Sequence, residues 1–136
     1  MTNQFSPPAE TGFSLRLLSR ACDGAGTLRD TLIGAGLTPG LVARAAGVHV
    51  RTLRAITDGG RTPRGVLVRL AGLAVIVDQL AEHDVPATAL RDSHTTASDA
   101  VVQDIRAQSP IAAKLIDAIR SAPARRDGQL SFPVAA

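Results

Sequence analysis

The chain has 136 residues, a formal charge of +3 from 15 basic and 12 acidic residues, one cysteine, three phenylalanines, and neither tryptophan nor tyrosine. That length holds one compact domain or two very small ones. A single cysteine excludes an intramolecular disulfide and points to a reducing compartment, and so few aromatics argue against stacking on single-stranded DNA or RNA loops. The longest apolar run, 66–77, is interrupted by Arg69 and too short to span a bilayer, and the opening MTNQFSPPAE is not a signal peptide. The expectation is a soluble, cytoplasmic protein.

In chain order, residues 1–10 contain Ser6, Pro7 and Pro8 and read as a disordered arm. A short amphipathic helix is expected over 13–21, with Leu15, Leu17, Leu18 and Ala21 as its apolar residues and Cys22 as a small core residue beside it. Gly24 and Gly26 break it. Thr27 is then positioned to cap a second helix with Leu28, Leu32 and Ile33 inward, ended by Gly34 and Gly36. Thr38 caps a third, with Pro39 at the first helical position, where the missing N–H costs nothing. A fourth helix is expected over 50–57, terminated by Asp58, Gly59 and Gly60.

A longer helix runs from Arg64 to around His83, with Gly72 as a candidate kink. It is too apolar all round for a surface helix, so it should close the N-terminal core and touch something more. Beyond Pro86 the pattern predicts a short helix near 87–91, a helix capped by Ser98 or Asp99 with Val101, Val102 and Ile105 on one face, and another opened by Ser109 and Pro110 with Ile111, Leu115, Ile116 and Ile119 inward. The fold class is therefore all-α. The division predicted is an arm at 1–10, an N-terminal helical domain at 11–77, a linker at 78–86 that continues the long helix, a small helical unit at 87–121 and a tail at 122–136.

The most informative stretch is 38–64, TPGLVARAAGVHVRTLRAITDGGRTPR. Ala43 allows a second helix to cross closely, and Gly47, four residues on, permits a left-handed turn between two helices. Val42, Ala46, Val48, Leu53 and Ile56 fall where the two helices must pack. Between Arg44 and Arg69 six arginines face a single acid, Asp58, the footprint of a polyanion binder. Of the 15 basic residues 14 are arginine, which also makes bidentate contacts to guanine and phosphate.

These residues resemble the Cro- and lambda-repressor-like helix-turn-helix family. Its Gly-Val-Ser turn, Ile-containing recognition helix, glycine-basic turn and following proline are matched here by Gly47-Val48-His49, Leu53 and Ile56, Asp58-Gly59-Gly60-Arg61, and Pro63. The whole chain is also similar, in length, Arg/Ala-rich composition and tail, to the immunity repressors of integration-dependent temperate mycobacteriophages. The resemblance implies a repressor that binds double-stranded operator DNA in a bacterial host and maintains lysogeny by blocking an early lytic promoter. The chain departs from the family at His49, which replaces a small hydroxylated residue and should cap less well. It departs again at Leu41, normally polar, which should pack on the helix around Leu15 and Leu18 or on a partner.

On a helix entering the major groove, the first turn and the residue one turn later meet the bases. His49, Val50, Arg51, Arg54 and Ala55 are the candidates for base contact. Arg51 is placed for a bidentate bond to guanine, Val50 and Ala55 for thymine methyls, and Arg54 for either a base or a phosphate. Thr38, Arg44, Thr52, Arg61, Thr62 and Arg64 read as phosphate contacts that position the protein without reading sequence.

Catalysis has little support: His49, His83 and His94 lack metal-ligand spacing, and the glycine pairs follow no strand. No cofactor is expected. The C-terminal helices offer Arg91, Arg106, Lys114 and Arg120, with Arg125 and Arg126 beyond, either as a second DNA contact in a monomer or as flanks of a dimerisation unit. Nothing in the chain could form the large strand-rich domain that dimerising repressors use, so a monomer with two DNA-touching regions is expected over a homodimer. The end, Val134-Ala135-Ala136, resembles tags gripped by bacterial AAA+ proteases; in the phage repressors such a tail makes the protein unstable. An alternative is an antitoxin-like, autoregulatory protein whose C-terminal half binds a toxin, and a third class is an adaptor without DNA affinity.

Overall fold

The structure is a computed structural model that describes residues 9–58, 61–91 and 96–120. The helices are α1 (Ala9–Ala21), α2 (Ala25–Gly34), α3 (Pro39–Ala46), α4 (Val50–Thr57), α5 (Arg64–Glu82), α6 (Thr96–Gln108) and α7 (Pro110–Arg120), with a 3-10 turn at Ala87–Leu90 between α5 and α6. Among the described residues there is no strand, so the fold is all-α.

Helix α5 is the axis. Every residue from Leu70 to Ile76 is buried, which a helix achieves only when neighbours cover all its faces. Those neighbours are α1, α2, α3, α6, α7 and the 3-10 turn, while α4 lodges against α2 and α3. The apolar surplus read from the sequence is thus covered within the chain. At Gly72 an added Cβ would lie 2.8 Å from Leu115 Cδ1, 3.2 Å from Ile111 Cγ2 and 3.5 Å from Leu17 Cδ1. Gly72 does not interrupt the helix. It is the point where α7 and α1 come close enough to exclude a side chain.

The C-terminal helices do not build a core of their own. Val102, Ile105, Ala112, Leu115, Ile116 and Ile119 join Leu28, Leu32, Leu53, Leu70 and Leu73 in one continuous apolar cluster. The stretch expected as a linker, 78–86, begins inside α5, where Gln79 and Leu80 are buried. Gln79 Nε2 donates to Gln108 Oε1 at 2.6 Å, tying α5 to the end of α6. Ser109 is buried, and its hydroxyl accepts from the Ile111 N–H at 3.1 Å to open α7. Helix α6 starts at Thr96, ahead of the expected caps, with Asp99 in its first turn.

Helix α1 begins at Ala9 and turns a different face inward from the one expected. Phe13 is buried, Leu17 and Ala21 pack beside it, and Leu15 and Leu18 are 63% and 65% exposed. Residues 13, 17 and 21 form one stripe at helical spacing, and 15, 18 and 22 another; Cys22, expected as a core residue, lies exposed on the second. Leu41 consequently packs half-buried against the main cluster instead of on Leu15 and Leu18. Electrostatics fix the orientation of α1. Arg20 forks onto Asp78 at 2.6 and 2.8 Å and reaches Asp23 at 3.1 Å, and Arg16 meets Glu82 at 2.9 Å. The hydrogen bonds to Asp78, and then to Asp23, push the Arg20 pKa up from its ordinary value, so this guanidinium stays charged.

Helix α2 starts two residues before its expected Thr27 cap. Gly24, at φ 87°, makes the reversal from α1, and its carbonyl accepts the Leu28 N–H at 3.0 Å. The earlier start buries Ala25 above Leu28 and Leu32 on one face.

Candidate nucleic-acid interface

Local chemistry sets the joint between α3 and α4. Thr38 Oγ1 accepts from the Leu41 N–H at 3.2 Å, with Pro39 opening the helix as expected. Val42, Ala43, Ala45 and Ala46 are buried. Gly47 then takes φ 80°, and two bonds close the helix end: Gly47 N–H to Arg44 O at 3.1 Å and Val48 N–H to Ala43 O at 3.0 Å. This pairing satisfies carbonyls the helix would leave orphaned, and it demands the left-handed conformation that glycine adopts without strain.

The turn delivers His49 to the cap of α4. His49 Nδ1 accepts from the Arg51 N–H at 3.2 Å, so the imidazole does the work of the missing hydroxyl. Leu53 is buried at 1% exposure and Ile56 packs half-buried, anchoring one side of α4. His49, Arg51, Thr52, Arg54 and Ala55 are exposed on the other. Val50 differs from the rest of the predicted base-contacting set: it is half-buried and packs against the core. Its place in the first turn gives part of its side chain to the core, leaving less of it for a thymine methyl.

Around this ridge stand the residues expected at phosphates. Thr38, Arg44, Arg61 and Arg64 are exposed, and Thr62 is partly so. Among the described residues Arg44, Arg51, Arg61 and Arg64 enter no ion pair, so their charge is available to a polyanion. The one acid of the stretch, Asp58, sits at the end of α4 and is met from behind by Arg29 of α2 at 3.4 Å. That contact offsets the only negative charge on the ridge. Arg69 of α5 donates to Ala46 O at 3.4 Å, on the last carbonyl of α3, and its Nη1 lies 2.8 Å from where a Cβ on Gly47 would be. The sequence does not show these contacts of Arg29 and Arg69, because each acts on a residue more than twenty positions away.

The proposed second contact region is arranged differently. Arg120 donates to Leu90 O at 3.2 Å and Ala89 O at 3.0 Å, and pairs with Asp99 at 2.9 Å. Arg106 pairs with Asp117 at 2.6 Å. Both arginines are spent on holding α6, α7 and the 3-10 turn together, while Arg91 and Lys114 stand exposed. The sequence reading grouped these four by charge, and the structure separates them by partner. Arg125, Arg126, the Val134–Ala136 tail, His94 and the arm at 1–8 lie outside the described residues. Among the described residues no helix is long and apolar enough to cross a membrane.

No protein-family model, curated protein or solved structure matches this chain. The likeness to the lambda-repressor-like family therefore stands on residues 38–64 themselves.

Proposed function

We propose that the chain is a sequence-specific, double-stranded-DNA-binding transcriptional repressor that lays α4 in the major groove. The observation that carries this reading is the contrast between the two sides of α4. Leu53 and Ile56 are held in the core, and His49, Arg51, Arg54 and Ala55 stand exposed beside Arg44, Arg61 and Arg64, three arginines that enter no ion pair among the described residues. Arg51, in the first turn, is the base reader, suited to the O6 and N7 acceptors of guanine. Arg44, Arg61, Arg64 and the Thr38, Thr52 and Thr62 hydroxyls are the phosphate clamps that set its register.

The biological setting, maintenance of lysogeny by blocking an early lytic promoter, rests on the resemblance to phage immunity repressors. Coverage of α5 in cis supports a monomer, since it removes the apolar surface a partner chain would have taken. The internal pairing of Arg106 and Arg120 leaves Arg91 and Lys114 as the C-terminal cations for a second DNA contact.

Selection of a randomised duplex library on the purified chain, followed by competition binding of the enriched duplex, tests the reading. A repressor of this kind enriches a defined site and prefers it by roughly 10³-fold or more over unrelated duplex. Binding that unrelated competitor titrates away equally well would end it.

A further inference from the structure

The capping geometry at His49 restricts what this residue can recognise. Its backbone is extended at φ −76° and ψ 152°, and its Nδ1 is the acceptor for the Arg51 N–H. An acceptor nitrogen carries no proton. In the neutral imidazole the proton must then reside on Nε2, because one ring nitrogen donates while the other accepts. The residue is exposed, and Nε2 is the ring nitrogen that the cap does not use.

We infer that His49 is a DNA-contacting residue held in the Nε2–H tautomer by its own helix cap, offering one donor and no acceptor. The inference rests on the reading of α4 as the groove-facing helix. A single donor pairs with acceptor chemistry on the duplex, a purine N7 or a phosphate oxygen. It gains nothing from the amino groups of adenine or cytosine, which donate. The cap and the recognition are thereby one device. A serine at this position would cap as well or better, with a hydroxyl that both donates and accepts. Histidine trades that versatility for a longer, one-way reach.

Two measurements test this. Long-range proton–nitrogen NMR of the free, full-length chain at neutral pH, with His49→Asn identifying the His49 signals, should show Nδ1 unprotonated and Nε2 protonated. An Nδ1–H tautomer would overturn the inference outright. For the second, the enriched duplex is remade with 7-deazapurines at each purine in turn and with methylphosphonates at each phosphate. His49→Asn keeps a good capping oxygen on a shorter side chain, so its thermal unfolding should match the parent while its affinity falls about two- to tenfold, the worth of one hydrogen bond. One of the modified positions should weaken the parent and leave the Asn variant unmoved: a 7-deazapurine marks a base edge, a methylphosphonate marks the backbone. Parent-like affinity in the Asn variant, or no modified position coupled to residue 49, rejects recognition by His49. A chain that enriches no duplex at all rejects the DNA reading itself, and the NMR result then still decides the tautomer independently.

Discussion

The joint of α3 and α4 and the packed pair α6 and α7 both carry arginines, and they use them in opposite ways. On the first, Arg44, Arg51, Arg61 and Arg64 are exposed and enter no ion pair among the described residues. On the second, Arg106 and Arg120 are folded back onto Asp117, Asp99 and the carbonyls of Ala89 and Leu90. Positive charge on a helix is thus poor evidence for a nucleic-acid surface until its partners are known. A guanidinium already paired with a carboxylate displaces little of a duplex's condensed counterion, and that release supplies much of the affinity for a polyanion.

The sharpest way to break the comparison is to remove the second region. Truncation after Ala87 deletes Val102, Ile105, Ala112, Leu115, Ile116 and Ile119, all buried in the common core. At about 1.5–3 kcal/mol for each buried aliphatic side chain, the loss is comparable to the roughly 5–15 kcal/mol that a domain has in total. The truncated chain should be unfolded by circular dichroism and silent in DNA binding. If it stayed folded and bound DNA with intact base preference, α6 and α7 would be a separable unit.

Arg120→Ala should cost about 1–3 kcal/mol of stability, since it strips donors from two backbone carbonyls and leaves Asp99 without its partner. The discount from a fully buried pair reflects the 18% exposure of the Arg120 side chain and 36% of Asp99. At temperatures where the variant is folded, its DNA affinity should equal the parent's. A variant that melts normally and binds DNA poorly would return Arg120 to the DNA surface.

Arg51→Ala is the mirror experiment. Unfolding should be unchanged within about 0.5 kcal/mol, as for an exposed helix position. Affinity for the selected duplex should drop by about 1–3 kcal/mol with relaxed preference at one base pair. Retained preference would mean that α4 is placed wrongly on the duplex.

Arg61→Ala should have the smallest effect. It should weaken selected and unrelated duplexes alike and lower the salt slope of binding by about one unit. A change in base preference would move Arg61 from clamp to reader.

Much of the α3–α4 site was legible in the chain because its determinants are local. The Thr38 cap reaches three residues ahead, Gly47 closes α3 through bonds to Ala43 and Arg44, and His49 caps two residues ahead. Such contacts are readable from spacing alone, so α4 falls at Val50–Thr57 as expected. Val50 is half-buried where the spacing puts it off the core, because the first turn of a short helix offers a β-branched side chain to the core and to solvent at once. Burial, not position, decides between them.

What the sequence by itself determined is the set of helices, the turn between α3 and α4, and the residues that turn must leave outward. These follow from hydrogen bonds and apolar spacing within a few residues. Tertiary structure alone decided which stripe of α1 faces in, because Phe13–Leu17–Ala21 and Leu15–Leu18–Cys22 both satisfy helical spacing, and the rotation is fixed by distant contacts: Phe13 in the common core, and Arg20 and Arg16 on Asp78 and Glu82 of α5. It alone decided that Gly72 is a contact instead of a kink, since the atoms that need the space belong to α7 and α1. It also decided which arginines are free for DNA. An ion pair such as Arg120–Asp99 depends on two helices meeting, and no local pattern records that meeting.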